Sequence, residues 1–173
     1  MFLAIGMAVF LALYYAGSTT KMAPADSAML REQFMSQIGD IDETGIFFNN
    51  VGIALGMFIP ALGAGFGMFS GYSTGLVFSA IADSNAQLSG VSPLVIFLTP
   101  FGMMELFAYG LAMSRSGLLV YQLVKKKPWR QYVVPTLIEM GIVVAVLFAA
   151  AIVEWWMIQN LGGLNVEIPL KGA

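Results

Sequence analysis

From Gly45 to Ala82 no side chain carries a charge, and this tract limits what the whole chain can fold into. As one straight helix it would run about 57 Å, nearly twice a bilayer hydrocarbon layer of about 30 Å. The tract must therefore break. Pro60 lacks the N–H that a helix interior needs, and with Gly63, Gly65 and Gly67 it marks one place for the break. Ser70-Gly71-Tyr72-Ser73 marks another. Either choice gives a tight hairpin of two apolar helices.

The rest of the chain shares this preference for an apolar surrounding. Of 173 residues, 58% are hydrophobic and 10% charged, against about 25% charged in a typical soluble domain. The pattern predicts an all-α fold: a polytopic membrane helical bundle of about five transmembrane helices, forming a single membrane domain over residues 1–173. Residues 1–16 read as the first span. Residues 17–43 read as an external polar loop holding a short amphipathic helix, with Met29, Phe34, Met35 and Ile38 near one face. Residues 45–157 form the core and residues 158–173 a tail.

Cap signals place the helix starts. Asp42 and Thr44 both suit the N-cap of the helix that enters the long tract. Ser92-Pro93 and Thr99-Pro100 each pair a capping hydroxyl with proline at the first helical position. Two such starts predict a broken or half-helix near Pro93–Pro100, then a full helix from about Phe101 to Val124. A last span, with Pro135 in its first turn, is expected to run to about Trp156.

Orientation follows from charge. Lys125, Lys126, Lys127 and Arg130 make up half of the eight basic residues, which sets their loop on the cytoplasmic side. The same run attracts anionic lipid. Counting spans back predicts a cell-membrane, multi-pass protein with its N-terminus cytoplasmic and its C-terminus external. Trp129 and the pair Trp155-Trp156 suit the two interfacial belts.

Helix rise turns sequence separation into depth. Glu105 lies about 30 Å before Lys125, and Glu154 about 36 Å beyond Arg130, so both belong to the outer end. Asn49, Asn50 and Asp83 are expected at that level too, which makes Asn49, Asn50, Asp83, Glu105 and Glu154 a candidate polar cluster. Arg115 and Glu139 fall about 15 Å and about 13 Å above the basic loop, near mid-depth. A carboxylate neighbour offsets much of the cost of such an arginine, so the two are expected to form a buried ion pair. Were the span instead 92–112 with Pro100 as a kink, Arg115 would sit at the inner interface and Glu105 nearer mid-depth.

Small residues recur in steps of four. Gly52 and Gly56 form one pair; Gly63, Gly67, Gly71 and Gly75 form a run. Such steps make a flat ridge that lets another helix backbone approach closely, a matter of packing rather than chemistry.

Composition also excludes function classes. The chain has no Cys and no His, which removes disulfides, the usual zinc, copper, haem and iron–sulfur sites, and any Ser-His or Cys-His nucleophile. No cofactor is implied, and the 12 Met suit gap filling in an apolar core. A net charge of −2 does not provide the basic footprint that nucleic acid requires. An intramembrane enzyme would have to use Glu105 and Glu154 as acid and base, with no nucleophile beside them.

Several of these residues fall into a known pattern. Phe47, Asn49, Asn50, Gly56, Gly63 and Gly67 are followed by Pro100-Phe101-Gly102-Met103-Met104-Glu105-Leu106-Phe107-Ala108, then by Gly117-Leu118 and by Ala151-Ile152-Val153-Glu154. Over about residues 45–157 the chain resembles the stage II sporulation protein M family of integral membrane proteins, whose strongest motif is Pro-His-Gly-x-x-Glu-x-x-Ala. Phe101 stands where that family usually has His, so the motif's one titratable ring is missing. The resemblance implies a multi-span scaffold that assembles other proteins at a membrane.

The expected function is a non-catalytic integral membrane subunit or scaffold. Its partners would be the lipid bilayer and other membrane protein subunits. The alternative is a small ion or solute transporter or channel component that uses the acidic outer cluster.

Overall fold

A computed structural model of the chain describes residues 2–38, 42–85, 88 and 90–161. Among them there is no strand. The helices are α1 (Phe2–Ser18), α2 (Pro24–Ile38), α3 (Glu43–Gly56), α4 (Leu62–Ser84), α5 (Pro100–Val124) and α6 (Arg130–Leu161). A short 3₁₀ segment, Pro93–Leu98, precedes α5.

The long uncharged tract breaks at Pro60. Phe58 and Ile59 tighten the end of α3 by donating to the carbonyls of Leu55 and Gly56, three residues back. Ala61 then turns the chain with φ 67°, a conformation that costs a side-chain-bearing residue roughly 1 kcal/mol. The turn is held from outside, because Ser116 Oγ on α5 donates to the Ile59 carbonyl at 2.8 Å. Ser70–Ser73 lies within α4 and breaks nothing.

The cap signals resolve clearly. Asp42, not Thr44, caps α3, with Oδ1 accepting from the Gly45 N–H at 2.8 Å. Thr99 caps α5, accepting from the Gly102 N–H at 3.1 Å. Ser92 makes no side-chain cap, and the piece it opens is a six-residue 3₁₀ segment.

α1 is a central element of the bundle. Gly6, Phe10, Tyr14 and Gly17 form its buried face, spaced at helical intervals. A side chain at Gly6 would strike the Gly110 carbonyl of α5, and one at Gly17 the Tyr72 carbonyl of α4, so the absence of side chains lets the backbones touch. Phe10 packs on Tyr109 with ring centroids 5.1 Å apart, and Tyr14 meets Phe97 edge-on at 4.9 Å. The Tyr14 hydroxyl donates to the Pro93 carbonyl at 3.2 Å, tying α1 to the 3₁₀ segment. α2 packs on the end of α4 through Ser27, whereas Met29 is exposed.

The expectation of about five transmembrane helices is corrected by this structure. Among the described residues, one helix, Arg130–Asn160 in α6, is long and apolar enough to cross a membrane. α1 has 17 residues, and the break at Pro60 leaves α3 with 14. α4 has the length at 23 residues, but its glycines, serines and Asp83 dilute its hydropathy. α5 has 25 residues and carries Glu105 and Arg115 together with Gly and Ser. The multi-pass bundle falls with the count, and counting spans no longer places the N-terminus or residues 17–43. α6 also starts earlier and ends later than expected, from Arg130 to Leu161, so Pro135 lies inside it. The rest of the 158–173 tail is outside the described residues, and the side chain of Ile38 is not described either.

α6 buries a narrow face and leaves a broad one open. Val143, Leu147, Ala150 and Ala151 are buried. Val134, Leu137, Ile138, Ile142, Phe148, Ile152 and Trp156 are exposed along its length. Only 22% of its most apolar 18-residue stretch is buried, the reverse of a core helix in a water-soluble protein.

Candidate functional site

Three helices bring three of the expected polar residues together. Asn50 lies midway along α3, Glu105 in the second turn of α5 and Glu154 near the end of α6. Asn50 Nδ2 donates to Glu105 Oε1 at 2.5 Å, joining α3 to α5. Asn49 Nδ2 donates to Asn50 Oδ1 at 3.2 Å, orienting that amide from its exposed position. Glu154 lies close enough to Glu105 for their charges to interact. Its Oε2 is buried and has no hydrogen-bond partner among the described residues. A carboxylate oxygen buried in this way costs free energy that a donor, a proton or a cation would relieve.

Asp83 is not part of this group. It ends α4, is exposed, and its Oδ2 accepts a weak 3.4 Å bond from Ser27 Oγ of α2. The two border a shallow surface pocket with Met22, Arg31 and Ala80. The acidic residues are thus divided between two places. Among the described residues, no three carboxylates gather closely enough to hold a metal ion.

Arg115 and Glu139 form the one salt bridge among the described residues. Arg115 is buried, and its Nε donates to Glu139 Oε2 at 2.6 Å while Nη2 donates to Oε1. This two-pronged geometry fixes both the separation and the rotation of α5 against α6.

The glycine run serves packing, and unevenly. A side chain at Gly75 would strike the Tyr14 carbonyl of α1, and one at Gly71 would crowd the Phe10 carbonyl at 3.1 Å. One at Gly67 would strike Met113 of α5, and one at Gly63 the Met57 carbonyl in the Pro60 turn. Gly56 faces the Phe66 ring, while Gly52 opens onto free space.

Some residues had a signal that sequence reasoning did not use. Tyr109 follows Glu105 by four residues, hence on the same helix face, and it lies buried within electrostatic reach of both Glu105 and Glu154. Gln122 Oε1 is a second buried oxygen with no partner. Gly6, Gly17 and Gly110 act as contact points between helices far apart in sequence, and no short-range pattern marks them.

No family model, no curated protein and no solved structure matches the chain.

Proposed function

We propose that this chain is a non-catalytic subunit or scaffold of a membrane complex, held in the bilayer by α6 and docking other proteins. The observation that carries this reading is the outer face of α6. An apolar helix of 31 residues, about 46 Å long, turns most of its surface away from the chain's own core. Lipid or the apolar surface of another subunit satisfies such a face; water does not. Exposed Trp129 and Trp156 near its two ends suit the two interfaces. The basic turn before Arg130 then faces the cytoplasm and the far end of α6 the other side. Purification in a gentle detergent followed by intact-complex mass measurement tests it. A stoichiometric partner chain is expected; a lone monomer would remove the assembly role.

One observation favours a second reading, a transporter or channel component. The buried, unpartnered Glu154 oxygen beside Glu105 is suited to a shared proton or a bound cation. Ion flux in proteoliposomes, compared between wild type and Glu105→Gln and Glu154→Gln variants, discriminates. Flux that the variants lose supports this reading, and background flux in all three removes it.

A further inference from the structure

The turn between α5 and α6 concentrates charge that the chain does not neutralise. Lys125, Lys126, Lys127 and Arg130 are all exposed, and none pairs with a carboxylate among the described residues. The next acid along α6, Glu139, is taken by Arg115. Two aromatic rings organise the cations. Lys125 and Lys127 both place Nζ over the Tyr121 ring, 6.0 and 5.7 Å from its centroid, and the Arg130 guanidinium lies 5.4 Å from the Trp129 ring. Lys126 turns the chain with φ 50°, which keeps four cations within one tight turn.

We propose that this turn is a binding site for the phosphate headgroups of anionic phospholipids. The inference rests on the reading of α6 as a membrane helix. An acidic peptide would match the charge as well, but it would leave the apolar flank without a use. Leu123, Val124 and Trp129 are exposed directly beside the cations. A phospholipid satisfies both, with phosphate on the ammonium and guanidinium groups and acyl chain along the apolar side chains.

The test is native mass spectrometry of the full chain with equimolar phosphatidylglycerol and phosphatidylcholine of the same acyl length, alongside flotation with vesicles. Wild type is expected to float and to retain phosphatidylglycerol preferentially. Each neutralised cation should weaken that preference roughly fivefold, so that K125Q/K126Q/K127Q/R130Q loses it. A Lys→Arg replacement at all three lysines should keep it, which separates loss of charge from loss of fold. Wild type that floats but shows no preference, or a quadruple Gln variant that keeps it, overturns the site and leaves the membrane reading standing. Wild type that does not float overturns both. Displacement of the lipid by millimolar inorganic phosphate would make the site one for free phosphate and overturn the lipid assignment.

Discussion

The guanidinium of Arg115 holds the carboxylate of Glu139 through two parallel hydrogen bonds, fastening the middle of α5 to the early turns of α6. Removing one partner strands the other. Arg115→Ala is expected to destabilise the chain by about 3 kcal/mol, the low end for buried pairs because Glu139 keeps part of its surface open. Replacing both at once with apolar residues, Arg115→Met with Glu139→Leu, should recover most of that loss. Thermal unfolding followed by helical circular dichroism, taken as a double-mutant cycle, measures the coupling.

Glycines on α3 and α4 should separate cleanly. Gly75→Ala presses a methyl group onto the Tyr14 carbonyl and drives α1 away from α4, at a cost of about 1–3 kcal/mol. Gly52→Ala meets nothing and improves helix propensity by up to about 1 kcal/mol. Melting temperatures of the two variants should therefore move in opposite directions.

Ser116 secures the Pro60 turn from the neighbouring helix. Ser116→Ala removes one of the two bonds that the Ile59 carbonyl accepts; the other comes from the Gly63 N–H at 2.7 Å. The expected loss is about 1 kcal/mol. Limited proteolysis should show faster cutting near residues 57–62 in the variant.

At the three-helix polar site, Asn50→Asp should cost more stability than Asn50→Ala. The first sets a third carboxylate beside Glu105 and Glu154, whereas the second only removes a donor. Glu154→Gln should be neutral or stabilising by up to about 1 kcal/mol, since it replaces an unpartnered carboxylate with a group that can donate. Unfolding of the three variants side by side at neutral pH checks the order.

These contacts also show which kinds of signal a sequence carries. The Pro60 break, the Asp42 cap and the Thr99-Pro100 start depend on neighbouring residues, so they are readable locally. The meeting of Arg115 with Glu139, and of Glu105 with Glu154, could be read from separation along two antiparallel helices joined by a tight turn. What depended on distant packing could not be read. Asp83 goes to Ser27 because α2 folds back on α4, and Gly6 and Gly110 mark a crossing between segments about a hundred residues apart. The span count failed for a different reason. Net apolar character was visible, but the break at Pro60 leaves α3 too short, and glycine and serine dilute α4 below the level a span needs.

The outward face of α6 carries the central claim, and the chain's lack of cysteine allows it to be probed one position at a time. Single Cys residues at exposed Ile142 and Ile152 and at buried Val143 and Leu147, each spin-labelled in reconstituted bilayers, report which collision partner reaches them. Labels at 142 and 152 should collide freely with molecular oxygen and hardly at all with a water-soluble nickel chelate, while those at 143 and 147 collide with neither. Ready collision of the 142 and 152 labels with the nickel chelate would mean that water covers this face, which would contradict the account.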